Sequence, residues 1–104
     1  MLDPELDAVA KKMASLDREA ARDLIYQYEA WTDTKLARGE ITREMAWDSY
    51  FGLLHECDER MMWSDRERIL GKIDTKQYNP LLSKNPCVLM IARIRAAGNK
   101  SRNN

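Results

Sequence analysis

Two apolar stripes face each other across a glycine, and they limit what this chain can become. Around Gly39 the large side chains are mirrored. Trp31 and Trp47 each lie eight residues away, Tyr28 and Tyr50 eleven, Leu24 and Leu54 fifteen, Ala21 and Cys57 eighteen. Within each half these residues recur at spacings of three and four, the period that gathers side chains onto one face of an α-helix. Gly39 is placed to end the first helix in the left-handed conformation. Thr42 is placed to cap the second, with Ile41 packing back as a hydrophobic staple. The pattern predicts an antiparallel helical hairpin at the centre of an all-α fold.

The rest of the chain supplies helices to pack against that pair. Asp3-Pro4-Glu5 reads as a cap, a first-turn proline and an acid at the positive end of a helix dipole, opening a helix to about Ala14. The hairpin helices are expected over about Leu16–Arg38 and Thr42–Met62. Ser64 and Glu67 are spaced as a capping box for a short helix ending near Gly71. Asn79-Pro80 marks a loop. Asn85-Pro86 opens a final segment, Cys87-Val-Leu-Met-Ile-Ala-Arg-Ile94, whose apolar run fits a buried helix or a strand by period alone. Its length and its borders favour a helix closed by Gly98. The expected architecture is therefore a small helical bundle with a C-terminal apolar helix, a single domain over 1–98, and a flexible basic tail over 99–104.

The segment 36–45, Leu-Ala-Arg-Gly-Glu-Ile-Thr-Arg-Glu-Met, also invites a DNA-reading interpretation. A helix-turn-helix wants a small residue four positions before the turn glycine and an apolar one just before it. Those positions hold Lys35 and Arg38. The following helix would enter the major groove, yet from Arg43 to Met62 it carries two bases against five acids. Phosphate repels such a helix. The Gly-x-Ile-Thr corner instead resembles the helical hairpin of the short C-terminal SHOCT domain, a likeness that covers about 25 residues and implies a fold element without an activity.

Charge is segregated along the chain. Residues 1–65 hold 8 Lys+Arg and 15 Asp+Glu, a net of 8 − 15 = −7, and residues 66–104 hold 9 and 2, a net of 9 − 2 = +7. Either the halves neutralise each other, or the basic third, with Lys84, Arg93, Arg95, Lys100 and Arg102, meets nucleic acid. Little aromatic residue is interleaved among those bases, which weakens a single-strand-binding role.

Residues for catalysis are scarce. His55 is the sole histidine. It shares a helical face with Glu59, but the glutamate that di-iron bundles place three positions earlier is replaced by Gly52. Cys57 is two residues from His55 and points elsewhere; it belongs to the apolar stripe as an inert thiol. No phosphate-cradling glycine loop is present. Cys57 and Cys87 have no metal spacing, and reduced buried thiols are expected of both. No cofactor or metal is expected, and no run is apolar enough to span a membrane, so a cytoplasmic protein without enzymatic activity is expected.

What remains is recognition. Met61, Met62 and Trp63 are consecutive at a helix end, too wide an arc to face one core, and Met and Trp are anchor residues at interfaces. Tyr26, Leu81 and Leu82 would extend that surface. Glu44, Asp48 and Glu56 form an acidic stripe that would orient a basic partner. Gly52, mid-helix, invites another helix to pack closely, including that of a second copy. The sequence thus points to a small regulator, adaptor or inhibitor of a partner protein, of the kind found in bacterial mobile elements or phage, with homodimerisation as a candidate state. Nucleic-acid association is the alternative.

Overall fold

The computed structural model describes the backbone of residues 18–102 and the side chains of 18–98; the expected helix over residues 3–14 lies outside them. The fold is all-α. Among the described residues four helices, α1 (Arg18–Ala37), α2 (Arg43–Glu59), α3 (Trp63–Leu70) and α4 (Pro86–Arg102), are joined by short connections and one 3-10 turn at Pro80–Leu82. The ambiguous C-terminal segment is a helix. It does not close at Gly98 but runs on through Arg102, so residues 99–102 of the expected tail have helical backbone.

Each boundary has a local cause. Gly39 has φ 70°. Its N–H bonds to the Leu36 carbonyl and the Glu40 N–H reaches back to Lys35, both at 3.0 Å. This is the Schellman arrangement, and glycine adopts it without a Cβ clash. Thr42 caps α2, its hydroxyl accepting from the Met45 N–H at 3.2 Å. At the start of α4 the Asn85 carboxamide accepts from the Cys87 N–H, and Pro86 occupies the first turn. The expected capping box at Ser64 and Glu67 does not form. Helix α3 begins two residues earlier than that box requires, at Trp63, with Met62 at the cap position and no side-chain cap bond.

Helix α2 is the middle of the bundle, in contact with α1, α3 and α4. Ala46, Trp47, Tyr50, Phe51, Leu53, Leu54 and Cys57 are all buried. Buried against them are Ala21, Ile25 and Tyr28 of α1, Ile69 of α3, and Val88, Ile91 and Ala92 of α4. The buried face of α1 is turned from the expected one. It runs Ala21, Ile25, Tyr28, Thr32, while Leu24 and Trp31 are only partly covered. Thr32 can sit fully buried because its hydroxyl donates to the Tyr28 carbonyl (2.9 Å) and accepts from Ser49 of α2 (2.8 Å). No polar atom of that pair is left without a partner. Trp31 lies at the flank, stacked on Tyr28 with ring centroids 5.2 Å apart and covered by the Lys35 ammonium.

Helix α3 runs alongside α1 in the same direction, as successive contacts show. Arg18 donates to the Met61 carbonyl, Arg22 to Asp65, Arg68 to Glu29 and Lys72 to Asp33. The segment after α3 is pinned to α2 by Tyr78, whose ring packs against Trp47 and Phe51. No described helix is long and apolar enough to cross a membrane.

Candidate functional site: the α2–α3 corner and the cleft at the opposite end of α2

The residues proposed for partner binding separate into two places. Met61 and Trp63 lie in the corner after α2. Glu44 and Asp48 lie in its first turns. Between them stands a helix of 17 residues, about 25 Å at 1.5 Å per residue. They form no single surface.

The corner is built around a strained residue. Met61 has φ 55°, the only positive φ at a non-glycine among the described residues. Its N–H bonds to the Asp58 carbonyl (3.3 Å), and the Met62 N–H to the Cys57 carbonyl (2.9 Å). This is the same Schellman geometry that Gly39 makes, with methionine in the glycine position. A side chain there costs roughly 1 kcal/mol. The next residue holds the turn closed: Met62 is 1% exposed and Cys57 beneath it is fully buried. Met62 is therefore a core residue, and its expected part in binding is withdrawn. Met61 and Trp63, on either side, are 66% and 57% exposed. The exposed carboxylates of Glu59 and Glu67 lie within a turn of them.

The acidic stripe is dismantled by its contacts. Glu56 pairs with Arg60 one turn on. Asp48 turns to the post-α3 segment, where Oδ1 accepts from the Tyr78 hydroxyl (2.7 Å) and Oδ2 from Ser83 (2.9 Å). Burial raises the Tyr78 hydroxyl pKa, and the bond to Asp48 raises it further, so it stays a donor. Glu44 alone stands exposed. Glu44 and Asp48 line a half-open cleft of about 560 Å³. Trp47, Tyr78, Met45, Leu82 and Lys84 line it as well. Leu82 thus belongs to this end of the molecule and does not extend the Met61 corner. Tyr26 does not extend it freely either, because its ring lies under the Arg68 guanidinium, 4.8 Å away.

The basic set is also divided. Arg95 pairs with Asp58, which Arg66 holds as well at 2.6 Å. Arg93 and Lys84 are exposed but stand on different elements. The side chains of Lys100 and Arg102 lie outside those described.

Sequence reasoning missed the most extensive polar feature, an ion-pair network between α1 and the α3 region. Glu29 and Asp65 are 6% and 3% exposed. Arg68 bridges them, reaching Glu29 at 2.6 Å and Asp65 at 2.8 Å. Lys72 binds Glu29 (2.6 Å) and Asp33 (2.7 Å), Arg22 completes Asp65 (3.2 Å), and the Tyr50 hydroxyl donates to Asp33. Burial alone would raise the pKa of Glu29, Asp33 and Asp65. The hydrogen bonds and charges of Arg68 and Lys72 outweigh it, and all three are lowered. A signal was present in the sequence. Glu29 and Asp33 are four apart and project from one helical face, and Arg68 and Lys72 repeat that spacing across the end of α3. The opposed halves of the chain thus meet inside the fold.

Among the described residues no three His, Cys, Asp or Glu side chains are grouped to hold a metal ion. His55 lies 3.7 Å from Glu59. Cys57 is fully buried, and burial foremost pushes its thiol up to about 11, the state of an unreactive core cysteine. Cys57 and Cys87 form no disulfide, and Cys87 is only partly buried where burial was expected of both.

No protein-family model, curated protein or solved structure matches the chain.

Proposed function

We propose that this protein is a non-catalytic protein-binding module, a small regulator, adaptor or inhibitor that occludes or bridges a partner through the α2–α3 corner. The supporting observation is Met61. The backbone takes a left-handed conformation at a residue that resists it, and the result is two large apolar side chains turned toward solvent. Strain of this kind persists where something other than stability retains it. Methionine adapts to varied surfaces, tryptophan brings a large rigid contact area, and the fully buried Met62 between them fixes their placement. The exposed Glu59 favours a partner that carries positive charge beside an apolar centre, whereas Glu67 is already paired with Arg66.

The test uses the whole chain as bait in lysate of its native cell, beside Met61→Gly and Trp63→Ser variants whose melting curves show them folded. A protein retained at stoichiometric level by the wild type, resistant to nuclease and lost from both variants, supports this reading. Retention by both variants removes the corner as the binding site. Loss of all retained material on nuclease treatment would replace the reading with nucleic-acid association through the basic third.

A further inference from the structure

The cleft at the other end of α2 has the composition of a receptor for one side chain. Its volume of about 560 Å³ lies within the range of small-ligand sites. Trp47 and Tyr78 meet edge to face at 5.9 Å, and both line it. The Asp48 carboxylate is fixed by two hydroxyl donors from beyond α3, and Ser83 is itself held by the Asn85 N–H at 3.0 Å. A carboxylate accepts at about four lone-pair positions; these bonds use two of them.

Charge decides the ligand class. Glu29, Asp33, Asp58 and Asp65, the other carboxylates fixed between helices, each bind a Lys or Arg. Asp48 is half-buried and has only neutral donors, and Glu44 stands near it at the rim. Neither has a cationic partner among the described residues, Lys84 included. A cation entering the cleft would therefore meet an oriented and uncompensated carboxylate.

We infer that this cleft takes an arginine side chain from an extended segment of a partner protein. The planar guanidinium stacks on aromatic faces and bonds a carboxylate through two N–H groups, which an ammonium cannot do. Met45 and Leu82, 54% and 79% exposed, would flank the entering segment with apolar surface. The site lies at the end of α2 away from Met61 and does not rest on the role given to that corner.

The experiment is an amide-shift titration of the isotopically labelled full chain with acetyl-arginine amide and with its neutral isostere, acetyl-citrulline amide. Saturable shifts confined to the amides of 42–48 and 77–84, at a dissociation constant of about 1 mM or below, are expected for arginine. Citrulline should bind at least about tenfold more weakly. Asp48→Asn, whose carboxamide oxygen accepts from one hydroxyl and whose NH2 donates to the oxygen of the other, should weaken arginine binding by a similar factor, and the exposed Glu44→Gln by less. Equal affinity for the two probes, shifts elsewhere, or binding unchanged in the Asp48→Asn, Glu44→Gln double variant would overturn the assignment. So would shifts of the same amides on raising protein concentration alone, because a second copy would then be the occupant.

Discussion

Arg68 of α3 holds the buried Glu29 carboxylate of α1 through both of its oxygens, with contacts of 2.6 to 3.1 Å, while its other arm binds Asp65 one turn back along α3. One guanidinium thus ties two buried acids on neighbouring helices. Removing it leaves both short of a partner. Arg68→Met should cost about 2–3 kcal/mol, below the full penalty for orphaning a buried charge because Lys72 and Arg22 remain. Replacing Glu29 and Arg68 together by leucine should cost less than Arg68→Met alone, because no unpaired carboxylate is then left at position 29. Urea unfolding of the three proteins measures both differences.

The same network makes stability depend on acid. The folded pKa values of Glu29, Asp33 and Asp65 lie below their ordinary values of 4.5, 3.8 and 3.8. The unfolded chain therefore binds protons more readily than the folded one in this range. Stability from these groups is complete above pH 4.5 and is lost as pH falls through the folded values. The Lys72 pKa lies above its ordinary 10.5, so its contribution holds below that pH and fades only in stronger alkali. A urea midpoint that is flat from neutrality to about pH 5 and then declines is expected. A midpoint that rises on acidification through this window would contradict the network.

Two helix ends with the same geometry carry different residues, and exchanging their chemistry separates strain from fold. Met61→Gly should stabilise the chain by about 1 kcal/mol, a rise in Tm of roughly 4 °C for a domain of this size. Gly39→Ala should lower stability by a similar amount, because alanine at φ 70° is strained and no close contact compensates. Thermal melts in parallel decide both. A destabilised Met61→Gly variant would mean that the exposed methionine contributes to the fold, and the case for its role in binding would weaken.

Gly52 offers a direct probe of assembly. It lies inside α2, and a Cβ built there meets nothing within 4 Å. No helix of the described chain packs against it. Gly52→Ala should therefore stabilise the protein by about 1 kcal/mol through helix propensity. A loss of stability that grows with protein concentration would show that a second copy covers this position. Sedimentation of the same variant would identify that copy.

Much of the helix pattern was legible because it depends on nearby residues. Gly39, Thr42 and Pro86 act on their own turns, and the α2 core positions Trp47, Tyr50, Leu54 and Cys57 follow from helical period. The α1 face was misjudged by one position because hydrophobicity ranks Trp31 above Thr32. Two hydrogen bonds reverse that order, and one of them comes from Ser49, seventeen residues away. The end of α2 at Glu59 was hidden because a left-handed turn normally shows itself as glycine, and here Met61 adopts it. The candidate binding residues were identifiable only as types. Which of Met61, Met62 and Trp63 faces outward depends on that turn. Asp48 could not be assigned to a cleft until Tyr78 and Ser83, thirty and thirty-five residues later, were placed beside it.

The pairing of an acidic first part with a basic second part also sets an order of events. As the chain leaves the ribosome, residues up to Asp65 carry a net −7. The acid Glu29, which must leave water for α1 to dock, has as yet no Arg68 or Lys72 to receive it. Those bases arrive within the next seven residues. Closure of α1 over the bundle is therefore expected only once α3 has been made, because self-repulsion of like charge opposes an earlier collapse.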